Sequence, residues 1–349
     1  MTTTTSREKT TTTTTSREIR LAARPVGEPV PEDFTSATTE VPAPGEGEIL
    51  VRNTWMSVDP YMRGRMNEGR SYIAPFELGA PLEGAAVGEV IASRAASVPV
   101  GATVSHFLGW REYAVLDAGA ATVIDTSLAP PEAYLGPLGT TGLSAYAALT
   151  RTAPVRPGDV VFVSAAAGAV GSVAGQLARK LGASRVIGSA GGPLKTGKLI
   201  DVFGFDAAVD HRQGRLAEQL DRAAPDGIDV YLDSVAGDHL EAAIGAMRAD
   251  GRIAMVGAIS TYNATEPVPG PRNLFDAAAK EVTLRGMAVS SHLDLFPEWI
   301  AKAAPWLADG TLRTETTVVE GIERAPDALL GVLRGANTGK MLVRLGEPR

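Results

Sequence analysis

Short apolar runs dominate the first third of the chain: Ile19–Val30, Gly47–Val58, Ala85–Ile91, Thr103–Phe107, Glu112–Val115 and Ala121–Ile124. Pro and Gly separate most of them, as in the stretch Val41 to Gly47. Many short strands punctuated by turn residues predict a β-rich, barrel-like first domain. The pattern changes near residue 130. Pro131–Tyr134 and Gly142–Leu149 read as helical, and strands then alternate with helices. Strands are expected at Val160–Ser164, Arg185–Ser189, Ala207–Asp210, Ile228–Asp233 and Gly251–Val256. Helices are expected at Gly171–Leu181, Lys195–Phe203, Leu216–Ala223 and His239–Met247. This alternation predicts a doubly wound parallel sheet. Residues 313–349 return to the strand-rich style and end on Lys340–Leu345, so the chain is expected to leave the first domain, build the second and come back.

The start of the chain stands apart. Thr2–Thr5 precede Ser6-Arg7-Glu8, and Thr10–Thr15 precede Ser16-Arg17-Glu18, the same short unit written twice. It has no apolar stretch of the kind a secretory signal needs, and Glu8 and Glu18 argue against a transit peptide. Residues 1–17 are expected to be a disordered tail. No apolar run reaches 18 residues, so no membrane span is expected, and the expected location is cytoplasmic.

Composition narrows the chemistry. The chain has 349 residues, enough for two domains, with 44% apolar and 21% charged residues. That is close to the soluble globular average. The net charge is −7 and no long Lys/Arg run occurs, which argues against a nucleic-acid partner. Cysteine is absent. Disulfides, Cys-ligated zinc, iron–sulfur clusters and thiol nucleophiles are therefore excluded.

The most informative segment runs from Val160 to Gly171. An apolar strand feeds a turn, Ser164-Ala165-Ala166-Ala167-Gly168-Ala169-Val170-Gly171, and then an amphipathic helix. The pattern Ala166-x-Gly168-x-x-Gly171 is a variant of the dinucleotide-binding turn. Gly168 lets the backbone approach a pyrophosphate, Gly171 lets the helix pack closely on the strand, and the helix start offers N–H groups to phosphate. A tight strand–helix turn without a ligand is the plainer alternative. About 20 residues further on, where a carboxylate would bind the ribose 2′-OH of NAD, the chain reads Ala190-Gly191-Gly192, with Lys195 and Lys198 next. A missing acid and a nearby lysine favour a 2′-phosphate, hence NADPH. A lysine at a helix start is disfavoured by the helix dipole, which strengthens that reading over a merely solvated side chain.

Hydride transfer also needs a group that handles a developing oxyanion. Only four histidines occur, His106, His211, His239 and His292, with no paired spacing, so no metal site is expected. Tyrosine hydroxyls, backbone N–H groups and the cofactor's ribose hydroxyl are left.

Several ordered motifs then carry a resemblance: Ser57 to Met66 (SVDPYMRGRM), Gly109 to Tyr113 (GWREY), Leu138 to Tyr146 (LGTTGLSAY), Ala165 to Gly171, Gly204 to Ala208 (GFDAA), Val256 to Asn263 (VGAISTYN) and Asn337 to Met341 (NTGKM). Together they resemble the zinc-free medium-chain dehydrogenase/reductases, in the branch of leukotriene B4 12-hydroxydehydrogenase (prostaglandin reductase), alkenal double-bond reductases and curcumin reductase. The resemblance runs from about residue 18 to 346. It implies a GroES-like β-barrel domain from residues 18–133 and 307–349, a Rossmann NADP-binding domain over residues 134–306, and a homodimer. It also implies NADPH-dependent reduction of a C=C bond conjugated to a carbonyl, in a small α,β-unsaturated aldehyde or ketone. Hydride would reach the β-carbon, and a hydroxyl would stabilise the enolate oxygen.

By the same resemblance Tyr262 is the candidate proton donor or oxyanion stabiliser, against a plain packing role at the nicotinamide. Tyr61 is the second candidate, lining the substrate pocket or simply packing. Asp59 and Arg63 are read as a structural ion pair or turn. Lys195 matches the lysine for the 2′-phosphate, Asn337 the asparagine near the nicotinamide, and Ser144 a position that often holds threonine. Val256 and Gly257 follow the fifth Rossmann strand. His211 stands where a tyrosine is usual, so phosphate binding is expected to become pH-sensitive. Asp233-Ser-Val-Ala-Gly237 replaces a loop that usually carries one more glycine, Met287 replaces a phenylalanine, and the loop Pro267–Arg272 is expected over the pocket. Two other readings stay open: a quinone oxidoreductase of the same superfamily, and an NADPH-binding protein without catalysis.

Overall fold

The computed structural model describes residues 14–69 and 71–346; the expectation of a disordered tail over residues 1–13 lies outside them. The first part holds the strands β1 (Thr15–Leu21), β2 (Phe34–Glu40), β3 (Glu48–Ser57), β4 (Ala86–Ser93), β5 (Thr103–His106), β6 (Tyr113–Asp117) and β7 (Thr122–Val123). The short helix α1 (Tyr61–Arg65) lies between β3 and β4. β1 and β2 form an antiparallel ribbon, Thr15 opposite Glu40 and Leu21 opposite Phe34. β3 is the hub of the larger sheet, paired antiparallel with β4 and β6.

β1 begins at Thr15, so Thr15, Ser16 and Arg17 belong to the fold rather than to the expected tail. Ser16, Glu18, Ile19 and Leu21 are buried, and Arg20 pairs with the Glu18 carboxylate at 2.5 Å. Its partner β2 reads Phe-Thr-Ser-Ala-Thr-Thr-Glu, a polar edge strand with no apolar run to announce it. Residues 22–30, expected to continue the first strand, do not, because Pro25, Gly27 and Pro29 interrupt the ladder and Gly27 has φ +77°.

The middle part runs α2 (Thr140–Ala147), β8 (Val160–Val163), α3 (Ala169–Lys180), β9 (Arg185–Ala190), α4 (Pro193–Asp201), β10 (Ala207–Asp210), α5 (Leu216–Ala223), β11 (Ile228–Asp233), α6 (Gly237–Ala246), β12 (Met247–Met255), α7 (Leu274–Ala279), β13 (Thr283–Gly286) and α8 (Phe296–Ala308). The strands form a parallel sheet in the order β10-β9-β8-β11-β12-β13. Central strands buried on both faces read as unbroken apolar runs, and Val160–Val163 is buried throughout. Chain order reverses between β8 and β11, which makes the carboxyl ends of these two strands the natural ligand crevice.

The chain then returns through β14 (Thr316–Glu320), α9 (Ala325–Leu333) and β15 (Lys340–Arg344). β15 pairs with β3, Leu342 opposite Ser57, so the barrel part is built from both ends of the described chain. A helix inside the returning segment is a feature the strand-rich reading of residues 313–349 left out. The architecture is a GroES-like domain joined to a Rossmann domain.

Candidate functional site

The turn after β8 is shaped by close backbone approach. Gly171 lies against the preceding loop: a Cβ there would sit 2.5 Å from the Ala165 carbonyl oxygen and 2.6 Å from the Ala166 Cα. Ala165 takes a left-handed φ of +46°, a strained conformation for a residue with a Cβ. Gly168 caps α3 in extended geometry, and no side chain caps that helix start. Its first N–H groups, Val170 among them, therefore suit phosphate oxygens. Ala166 N–H donates to the Ser189 carbonyl at 2.9 Å, which fixes the turn to β9.

Asp233, at the end of β11, holds the crevice from the other side. Its buried Oδ1 accepts from the Tyr231 hydroxyl at 2.7 Å, the Val235 and Ala236 N–H groups at 2.8 and 2.9 Å, and Ser164 Oγ at 3.2 Å. Its Oδ2 is buried without a partner. The Asp233 carbonyl accepts from the N–H groups of Val256 and Gly257 at 2.7 and 3.1 Å. One residue thus ties together Ser164, the 234–237 loop and the start of the loop after β12. Ala236 has φ +63° and ψ −154°, a region suited to glycine; the two N–H bonds to Asp233 hold this strained turn in place.

A second cluster forms at the ends of β9 and β10. A Cβ on Gly191 would lie 2.7 Å from Arg212 Nε and 3.0 Å from His211 Cε1, so two of the residues singled out from the sequence, Gly191 and His211, meet there. Lys195 Nζ donates to the Gly335 carbonyl at 2.7 Å, and burial, then Arg212 and Lys198, hold its ammonium below the ordinary lysine range. Burial also pushes the His211 imidazole down; Asp210 opposes this, while Arg212 and Lys195 add to it. Arg212 is absent from the sequence-based assignment, and only its position after His211 could have suggested it. An acid does lie close in space: Asp210 accepts from the Gly192 and Arg212 N–H groups at 2.8 and 3.1 Å and from Gln213 at 3.1 Å. Its oxygens are occupied by the turn, and the cationic Lys195 and Arg212 lie nearby together with His211. Cationic groups without a free carboxylate suit a dinucleotide carrying a 2′-phosphate.

The barrel part reaches this crevice through one strand of backbone. Gly168 and Gly339 form a parallel bridge, and Gly339 N–H donates to the Ala167 carbonyl at 2.7 Å. Gly339 has φ +64°, and a side chain there would overlap the Glu315 carbonyl. Asn337 Nδ2 donates to the Gly339 carbonyl at 2.7 Å, which places this side chain beside the pyrophosphate turn. Ser144 is not drawn into these contacts; its Oγ donates back to the Thr140 carbonyl at 2.7 Å within α2.

The tyrosines come from elsewhere. Tyr262 closes a single helical turn, Ile259–Thr261, after β12. Ala258 N–H lies 3.4 Å from its hydroxyl, and a Cβ on Gly257 would sit 3.3 Å from it. Tyr61 starts α1 in the barrel part, where burial, then Asp59, pushes its phenol far up. Tyr72, missed by sequence reading, is mostly exposed, yet the protein around its hydroxyl and then the neighbouring Tyr262 push it up as well. Asp59 and Arg63 do not pair with each other. Lys340, 4% exposed, donates to Asp59 Oδ1 at 2.6 Å and to the Val58 carbonyl at 2.9 Å. Ser57 Oγ donates to the other Asp59 oxygen. Met287 is buried in the main core. The Pro267–Arg272 loop is largely exposed, with Arg272 paired to Glu241 of α6 at 2.7 Å.

Comparisons with known proteins bear on the fold and the family. Residues 17–124 match the family described as the N-terminal domain of oxidoreductase, and residues 169–309 the family described as zinc-binding dehydrogenase. That second description mentions zinc, but the chain has no cysteine, and the described residues contain no group of three or more His, Asp or Glu placed to hold a metal. YfmJ of Bacillus subtilis (strain 168) is 42% identical over 335 residues, covering 95% of this chain and 98% of its own. The NADP(+)-dependent 2-alkenal reductase of Nicotiana tabacum is 36% identical over 320 residues, covering 90% and 92%. The crystal structure of CurA from Vibrio vulnificus in complex with NADPH superimposes with a TM-score of 0.90 at 37% identity, covering 95% of this chain and 100% of that one. With both parts of the fold and nearly the whole length matched, the chain belongs to the medium-chain dehydrogenase/reductases, in the zinc-free branch of the alkenal, curcumin and prostaglandin reductases.

Proposed function

We propose that the protein uses NADPH to reduce the C=C bond of α,β-unsaturated aldehydes and ketones. This reading is supported by the approach of the Tyr262 segment, after β12, to the helix that carries Tyr61: Asn263 accepts from Arg63 at 3.2 Å, and Tyr72 lies near both tyrosines. When bound, the reduced nicotinamide supplies a hydride. The chain's own residues do the rest. The turn from Ala165 to Gly171 cradles the pyrophosphate with the first N–H groups of α3, and Asn337 lies beside that turn. Val256 and Gly257 carry the wall under Tyr262. The Tyr61 phenol is protonated at physiological pH, as a tyrosine near its ordinary value of 10 already is, and burial pushes it further up. Together the Tyr61 and Tyr262 hydroxyls hold the substrate carbonyl oxygen, where negative charge collects as the β-carbon is reduced, and Tyr262 returns a proton at the α-carbon. The name of the tobacco relative, a 2-alkenal reductase, supports this substrate class.

The test is NADPH consumption over a panel of enals, linear and cyclic enones, quinones and saturated ketones. Turnover of enals and enones, with a saturated carbonyl product, is expected. Turnover of quinones alone would replace this reading with a quinone oxidoreductase, and tight NADPH binding without any turnover would make the protein a nucleotide-binding module.

We further propose a homodimer. β13 ends the parallel sheet with its four residues exposed, Leu284 among them at 40%, and the preceding α7 exposes Leu274 at 57% and Phe275 at 81%. An open edge with apolar neighbours suits a second copy of the same edge. Sedimentation should give twice the chain mass, and Leu284→Lys should shift it to the monomer.

A further inference from the structure

We propose that Arg63 and Asn263 form a tether that positions the Tyr262 segment against the helix carrying Tyr61. The inference rests on the reading of this cleft as the reductase site. Arg63 lies two residues after Tyr61 on α1 and is 2% exposed. Its Nε donates to Asn263 Oδ1 at 3.2 Å and to the Gly27 carbonyl at 3.1 Å. Nη2 donates to the same carbonyl at 2.7 Å, and Nη1 to Asn67 Oδ1 at 2.6 Å. Among the described residues no carboxylate lies within ion-pair distance of it. One buried guanidinium thus gathers oxygens from three segments: the loop after β1, the end of α1, and the loop after β12.

The acceptors explain why the group is arginine. A buried cation needs its N–H groups satisfied. The planar fork, with donors in fixed directions, reaches a loop carbonyl and two amide oxygens at once, which an ammonium on a flexible stem would not reproduce. Asn263 is the residue next to Tyr262. The Rossmann side holds the same segment only from below: Ile259 N–H donates to the Ser234 carbonyl at 3.2 Å, and the Ser260 N–H and Oγ both donate to the Val235 carbonyl, at 3.2 and 2.5 Å. Gly27 also packs on this loop; a Cβ there would lie 3.5 Å from Thr265 Cγ2. From Thr265 to Gly270 the loop is exposed. The Arg63–Asn263 bond is therefore the last side-chain hold on the segment before it turns to solvent, and it fixes the Tyr262 backbone relative to α1 across the two parts of the fold. Arg63 and Asn263 are positioning residues; neither is assigned contact with substrate.

The experiment compares Asn263→Ala, Asn263→Asp and Tyr262→Phe in the full chain. Asn263→Ala removes one acceptor and leaves the Arg63 bonds to Gly27 and Asn67, so the fold should persist. Hydrogen exchange should quicken in a peptide spanning residues 258–265 while peptides of α1 stay unchanged. The NADPH dissociation constant, read by cofactor fluorescence, should stay within about twofold, and kcat on an enone should drop by roughly tenfold to a hundredfold, the cost of a misplaced group. Asn263→Asp keeps an acceptor and adds a charge partner, and should restore both readouts. In a Tyr262→Phe background, Asn263→Ala should cost little more, because the lost positioning has nothing left to position.

Unchanged exchange in Asn263→Ala, equal kcat losses in both backgrounds, or an Asn263→Asp variant as impaired as Asn263→Ala would each overturn the proposal. If Tyr262→Phe alone leaves kcat intact while Asn263→Ala still loosens residues 258–265, the tether stands and the catalytic reading of Tyr262 falls.

Discussion

The two sides of the crevice are built by different means. The cofactor side is mostly backbone: Gly171 pressed on Ala165 and Ala166, Gly339 bridged to Gly168, and the Asp233 carboxylate clamping its own turn. The proposed substrate side is mostly side chain: Tyr61 and Arg63 from α1, and Tyr262 with Asn263 from a loop about 200 residues away. Backbone contacts tolerate almost no change at a few glycines and nearly any change elsewhere. Side-chain contacts fail by degrees, and one bond at a time.

The largest test of this contrast is Gly339→Ala. With φ +64° and the Glu315 carbonyl in the way of any side chain, it should destabilise the protein by about 3 kcal/mol or more and weaken NADPH binding together with it. Thermal unfolding with and without NADPH checks this; an unchanged midpoint would show that the bridge is dispensable.

Acid probes both sides through buried histidines. His239 meets Ser189 Oγ at 2.9 Å beneath the cofactor side, and His106 meets Asn53 Oδ1 at 2.8 Å in the barrel. Burial pushes both imidazoles down to about 4. Below the ordinary value of 6.5 the unfolded chain binds protons that the folded chain refuses. The stability these groups allow is therefore complete above pH 6.5 and is lost as pH falls from there towards 4. The loss is roughly 3 kcal/mol for each group. Unfolding midpoints across this range should fall steeply, and His239→Gln or His106→Gln should each flatten the slope.

Tyr262→Phe tests the substrate side alone. It should lower kcat on an enone by roughly tenfold to a hundredfold, with the NADPH dissociation constant unchanged. An unchanged kcat would reduce Tyr262 to packing. The smallest effect is expected from Lys195→Ala, which should raise the KM for NADPH by about tenfold and leave that for NADH nearly unaltered. Equal changes for both cofactors would remove Lys195 from the 2′-phosphate site.

The same contrast decides what could be read from the sequence. Strand, turn and helix of the cofactor side are contiguous from Val160 to Lys180, and local pattern finds contiguous elements. β10, β11 and α5 fall where the periodicity places them. Polar β2 carries no apolar signal, so its pairing with β1, and with it the place of Thr15–Arg17 in the fold, could not be seen. Sequence proximity pairs Asp59 with Arg63, whereas its partner is Lys340, 281 positions away. Arg212 and Tyr72 join the site through folding and belong to no motif. Ser144 came from resemblance alone, and its hydroxyl turns to its own helix.

The Gly168–Gly339 bridge has a consequence for the order of synthesis. The pyrophosphate turn leaves the ribosome with its strand and helix, yet one of its backbone bonds is supplied by a residue translated long afterwards. A nascent chain can complete the parallel sheet and still lack the clamp on its nucleotide turn. The turn is fully bonded only once residue 339 has been made and the last strand has joined β3.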